Sequence, residues 1–133
     1  MPELLYVDTS AFLRRMFGAD GADAVDRAVV NRRRRGGTVV SSRLLWLEAR
    51  RVGTREALLG NDVTDVITAN LAGVARLPMT EEVWSGAEAI AQHIKTLDSL
   101  HLATCELVGA DLMTFDEAMR NVATARGIRL VEM

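Results

Sequence analysis

The chain has 133 residues and a formal net charge of −2, so its length fits one domain, 1–133, and no global basic field advertises nucleic acid. No apolar run approaches the ~20 residues that span a bilayer, and Met1-Pro2-Glu3 lacks the basic segment of a secretory leader. Cys105 is the single cysteine; it excludes an internal disulfide and fits a reducing compartment, so a cytoplasmic protein with no membrane contact is expected.

Leu4 to Val7 reads as a buried strand that stops at Asp8-Thr9-Ser10. Ser10 to Met16 follows as a short helix stopped near Gly18, and Asp20 to Arg34 as a second helix ended by Gly36-Gly37. Thr38 to Ser41 is a strand. Ser42 to Val52 is a helix stopped by Gly53, with a further short turn over Thr54 to Gly60. Asn61 or Asp62 caps a helix reaching about Leu71. Val74 to Leu77 is a brief strand closed by Pro78. Thr80 is the N-cap of a helix running to about His93. Leu97 to Val108 is a strongly apolar helix stopped by Gly109, Asp111 to Thr114 a strand, Asp116 to Arg126 a helix and Ile128 to Val131 a last strand. Strands alternating with helices argue for an α/β protein, a three-layer α/β/α sandwich around a central, mainly parallel sheet. In such sheets ligands collect beyond the carboxyl ends of the strands. Asp8 and Asp116 both lie there.

Four acids stand out, and each has two readings. Asp8 caps the next helix or holds a cation. Glu48 shares a helical face with Leu44, Leu45 and Val52, where a carboxylate is costly unless paired or bound to metal; it pairs with Arg51 or Arg55, or it serves a site. Asp98 is a favourable acid in a first helical turn, with His101 one turn on, either a structural histidine or one that orients Asp98. Asp116 is a strong N-cap by itself. If the fold converges all four, two carboxylates 4 Å apart repel by roughly 4 kcal/mol at an effective dielectric of about 20. They must then take up protons or bind cations, and oxygen donors favour Mg²⁺ or Mn²⁺. His93, His101 and Cys105 offer no zinc spacing.

The runs YVDTSA (6–11), LEARR around Glu48, LDSLHLATC (97–105) and MTFDEAM (113–119), in this order and rhythm, resemble a PIN-domain ribonuclease, specifically a VapC-type toxin of a toxin–antitoxin pair. The resemblance implies that Asp8, Glu48, Asp98 and Asp116 are the acidic quartet, catalytic and metal-holding, with Thr9 or Ser10 and Thr114 as supporting hydroxyls and His101 beside them. It implies an endoribonuclease using Mg²⁺ or Mn²⁺, held inactive by a VapB-like antitoxin and forming a homodimer. Cys105 departs from the small residue often found after HLAT, and a packing effect is expected there.

NRRRRGG (31–37) is the densest charge cluster and reads as a solvated helix end. Arg14 and Arg15 lie nearer Asp8 and are candidates for RNA phosphate contact. Trp46 and Trp84 read as core or interface anchors. Phe12, Leu13, Met16 and Phe17 supply a groove for an antitoxin helix, or ordinary core. Two other readings stay open. A receiver-like phosphoacceptor domain also places acids at strand ends, but it needs an adjacent acidic pair and a late strand-end lysine; here the first motif is Asp-Thr-Ser and Lys95 precedes a helix. A catalytically weak PIN domain that only binds RNA or antitoxin is the other.

Overall fold

The computed structural model of the chain describes residues 3–132. Met1 and Pro2, part of the stretch read above as lacking a leader, and Met133 lie outside the described residues. Four strands, β1 (Leu4–Val7), β2 (Thr38–Ser42), β3 (Ala75–Leu77) and β4 (Asp111–Met113), form one sheet in the order β3-β2-β1-β4. Every pairing is parallel. The described residues add seven helices, α1 (Thr9–Phe17), α2 (Ala22–Arg34), α3 (Arg43–Leu58), α4 (Thr64–Leu71), α5 (Glu81–Glu88), α6 (Thr96–Val108) and α7 (Glu117–Ala125).

The pleat of β1 explains the layers. Leu5 and Val7 point to one face and pack with Val25 and Val29 of α2. Tyr6 points to the other and packs with Leu102 and Cys105 of α6 and Met119 and Val122 of α7. The sheet is thus covered on both faces, as parallel sheets require. Phe12 of α1 packs with Leu45 of α3 and Ile67 and Leu71 of α4. Leu44 meets Val83 of α5 and Leu100 of α6, so α3 links helices of both layers. Cys105 is fully buried, and burial pushes its thiol up to about 12, so it is packing material.

Three expected elements differ. Gly53 does not stop a helix; α3 runs through it to Leu58, and the position lacks a side chain for another reason, since a Cβ there would stand 2.8 Å from Ile67 Cδ1. The glycine is a close approach between α3 and α4. The helix opened by Thr80 ends at Glu88, well before His93; Ile90 and Ile94 instead pack onto the core as loop residues. Ile128 to Val131 is not a strand but a single parallel bridge, Leu112 to Leu130, held by Leu112 N–H to Arg129 O and Val131 N–H to Leu112 O. The arginine run is also not wholly solvated. Arg32 is buried and donates to Leu4 O at 2.9 Å and Asp111 Oδ2 at 2.8 Å.

Candidate active site

The chain passes from β1 to β2 to β3 on one side, then returns to lay β4 on the other side of β1. The carboxyl ends of β1 and β4 are therefore a topological switch point, where open α/β sheets place their ligands. Asp8 directly follows β1, and Asp116 lies three residues after β4. Both are N-caps: Asp8 Oδ1 accepts from Ala11 N–H at 2.9 Å, and Asp116 Oδ1 from Met119 N–H at 2.9 Å. Capping and site membership are compatible, since each cap uses one carboxylate oxygen.

Two hydroxyls tie the strand ends together. Thr114, fully buried, donates to Asp8 Oδ2 and accepts from Asp116 N–H at 3.1 Å. Ser10 donates to Asp8 Oδ1 at 2.8 Å and accepts from Phe115 N–H at 3.1 Å. Burial pushes the Asp8 carboxyl above its ordinary range, against the bonds donated by Thr114, Ala11 and Ser10.

Glu48 comes in on α3 and makes no ion pair with Arg51 or Arg55. Its Oε1 accepts from Thr9 Oγ1 at 2.8 Å and lies 2.7 Å from His101 Nε2. Burial opposes its ionisation, but the bond and charge of His101, with Thr9, hold its carboxyl below the usual value. His101 therefore serves Glu48 and not Asp98. On its other side His101 Nδ1 meets Tyr6 Oη at 2.6 Å. Tyr6 was absent from the candidate residues. Its one available signal is that it is the chain's sole tyrosine and lies in a strand too buried to leave a hydroxyl unpartnered.

Asp98 is the third residue of α6 and half-buried. Burial, then the negative charge of Asp116, raise its carboxyl; His101 opposes, and Asp8 and Glu48 add to the rise. The four acids thus share one electrostatic neighbourhood although they come from separate elements. Among the described residues no arginine or lysine forms an ion pair with Asp8, Asp98 or Asp116. Nor do any three His, Cys, Asp or Glu side chains there stand close enough to enclose an ion by themselves. An oxygen-only set with unbalanced negative charge fits a hard cation that keeps part of its water shell.

The basic candidates are engaged locally. The Arg14 guanidinium lies 4.3 Å over the ring of Phe115, the residue before Asp116, and donates to Asp20 O. Arg15 pairs with Asp26 at 3.1 Å. Trp46 is half-buried, with Arg76 5.6 Å over its ring. Trp84 is 45% exposed and so no core anchor.

A parallel α/β/α sandwich with acids gathered at the switch point of its sheet defines the class. The family model described as PIN domain matches residues 5–125, and the chain belongs to that family, whose members are in general nucleases. Among solved structures it is similar to VapBC2 from Rickettsia felis bound to a DNA fragment from their promoter. The TM-score is 0.68 at 10% identity, covering 97% of this chain and 97% of that chain. It is also similar to PAE2754 from Pyrobaculum aerophilum, with a TM-score of 0.64 at 20% identity, covering 92% of this chain and 87% of that chain. Both likenesses are of fold. No curated protein matches. Among the described residues no helix is long and apolar enough to cross a membrane.

Proposed function

We propose that this PIN domain is a VapC-type toxin: a cytoplasmic endoribonuclease that hydrolyses RNA with Mg²⁺ or Mn²⁺ and is restrained by a cognate VapB-like antitoxin. The observation that carries the reading is the acid set at the switch point, with no cationic side chain paired to its three aspartates among the described residues; Asp98 is raised by burial first and then by the charges of Asp116, Asp8 and Glu48. Asp8, Asp98 and Asp116 would hold the ion, directly or through water. When bound, the ion acidifies a water and neutralises charge on the scissile phosphate. Glu48, anchored through Oε1, positions a water with its other oxygen. Thr114 and Ser10 hold Asp8 in place. In-line hydrolysis leaves 5′-phosphate and 3′-hydroxyl ends. Arg14 and Arg15 are the proposed phosphate contacts, which give affinity without base specificity.

The fold likeness to VapBC2 supports an antitoxin partner. The proposed groove lies on α1, where Leu13 and Met16 are partly buried and Phe17 is 44% exposed; Phe12 belongs to the core. A homodimer is proposed as the assembly. The spacing of the acids also favours a second reading, a PIN domain that binds RNA or antitoxin without cleaving.

The test compares wild type with Asp8→Asn and Asp98→Asn on total RNA in Mg²⁺, Mn²⁺ or EDTA. Cleavage should need the metal and fall by at least about 100-fold in either variant, as for removal of one transition-state group. Metal-independent cleavage, or full activity in both variants, overturns the reading. RNA retention without products supports the second. Membership of the PIN family removes the receiver-like alternative.

A further inference from the structure

Tyr6 on β1 and His101 on α6 are 95 residues apart in sequence and meet in the core, 0% and 1% exposed. Burial makes every polar proton there accountable. The Tyr6 hydroxyl accepts from Ser42 N–H at 3.2 Å, so its own proton is available to His101 Nδ1 at 2.6 Å. Nδ1 then acts as acceptor, and Nε2 carries the ring proton. Nε2 faces Glu48 Oε1 at 2.7 Å, and an ionised carboxylate only accepts. Thr9 donates to the same oxygen at 2.8 Å. Oε1 is thereby occupied twice, while Oε2 has no hydrogen-bond partner among the described residues.

We propose that Tyr6 and His101 are positioning residues for Glu48. Tyr6 donates to Nδ1 and holds the Nε2–H edge of His101 toward Glu48, His101 and Thr9 pin Oε1, and Oε2 is the oxygen that handles the water used in hydrolysis. The inference rests on reading the acids as a nuclease site. A glutamate has three rotatable side-chain bonds, and unpinned it spends time in unproductive rotamers. The clamp removes that freedom before substrate arrives. It also explains why the sheet carries a tyrosine at the residue whose side chain faces α6.

The test has two arms. In the first, imidazole ¹⁵N spectra of the apo protein are recorded at neutral pH; with only two histidines, His101→Gln assigns the signals. Wild type should show an acceptor-type Nδ1 and a protonated Nε2 at His101. Tyr6→Phe, which keeps the ring and loses the hydroxyl, should strip Nδ1 of its donor and move the Nδ1 resonance downfield toward that of an unbonded imine nitrogen, while Nε2 stays protonated against Glu48. Any other pattern in wild type, or an unchanged Nδ1 resonance in Tyr6→Phe, overturns the clamp.

In the second arm, Tyr6→Phe should lower kcat on RNA about 10–100-fold, the usual cost of losing an outer-shell partner, with KM within about twofold. It should slow Glu48→Gln no further, since it acts through Glu48. A KM effect alone, or the same slowing on a Glu48→Gln background, overturns the positioning role. A wild type inactive on RNA would refute the nuclease reading, and the spectra would still decide the clamp.

Discussion

Asp8 sets burial against charge, a carboxylate 2% exposed in the neighbourhood of Asp98. Thr114, Ala11 and Ser10 each donate to it, yet burial still raises its pKa. A group raised in the folded state takes up its proton at a higher pH than in the unfolded chain. Its ionisation therefore costs stability at neutral pH, and that cost fades as pH falls through the raised value. Asp8→Asn keeps the acceptor for Ala11 and Ser10 and offers an amide to Thr114. It should fold with a Tm equal to or a few degrees above wild type at pH 7, about 1 kcal/mol or less, and the difference should shrink near pH 4. A Tm drop at pH 7 would show that the charge itself supports the fold. Glu48 has the opposite sign. Its lowered pKa contributes stability above the ordinary carboxylate range that is lost in acid. Only Glu48 stands out by position, a carboxylate on an apolar helical face; Asp8, Asp98 and Asp116 have ordinary places at helix starts, and it is the resemblance of the four runs that singles them out. The partners of Glu48 were not legible in the sequence, since helix spacing reports only neighbours on the same helix.

At the scale of elements, caps read well because they are local. Asp8, Thr80 and Asp116 each accept from the first turn of their helices, and Gly18 and Gly109 end theirs in the left-handed region; Ser42, read as a helical residue, is the cap of α3. Gly53 misleads for the complementary reason, since its need for no Cβ comes from another helix. Gly53→Ala gains about 1 kcal/mol of helix propensity but drives a methyl against Ile67, and overpacking costs typically 1–3 kcal/mol. The net expectation is a destabilisation of about 1 kcal/mol by urea unfolding. Introduced together with Ile67→Val, which removes the Cδ1 atom, the same substitution should stabilise relative to Ile67→Val alone. Equal effects in both backgrounds would place the constraint elsewhere. The last predicted strand failed because Ile128 to Val131 has the composition of a strand but makes only a single bridge to β4.

For the whole molecule, one ion network joins distant parts. Asp111 at the start of β4 takes Arg32 from α2 at 2.8 Å and Arg129 from the C-terminal segment at 2.8 and 3.0 Å. Burial works against this carboxylate, but the bonds and charges of the two arginines hold it below the ordinary value. A depressed folded-state pKa gives stability that is present above the unfolded value and lost as pH falls through the folded one. Arg32→Met should cost about 3 kcal/mol at pH 7, the low end for breaking a buried pair because Arg129 remains. The cost should decline at pH 3, where wild type loses the same contribution. Chemical unfolding at the two pH values measures both; a pH-independent penalty would assign the loss to packing. In sequence the run reads as a solvated helix end, because four arginines in a row give no sign of which one turns inward.

The amino-acid order alone determined the alternation of strands and helices, three of the caps and the parallel character of the sheet, because these follow from local periodicity and from which side chains reach the first turn of a helix. It nominated the four acids only through the resemblance of the runs that carry them. Only the folded chain decided that β4 lies beside β1, that Thr114 bridges Asp8 to Asp116 across 106 residues, and that His101 turns to Glu48 with Tyr6 behind it. Hydrogen bonds between residues so far apart depend on how layers pack, and nothing in a stretch of ten residues encodes which distant hydroxyl will fill a buried acceptor.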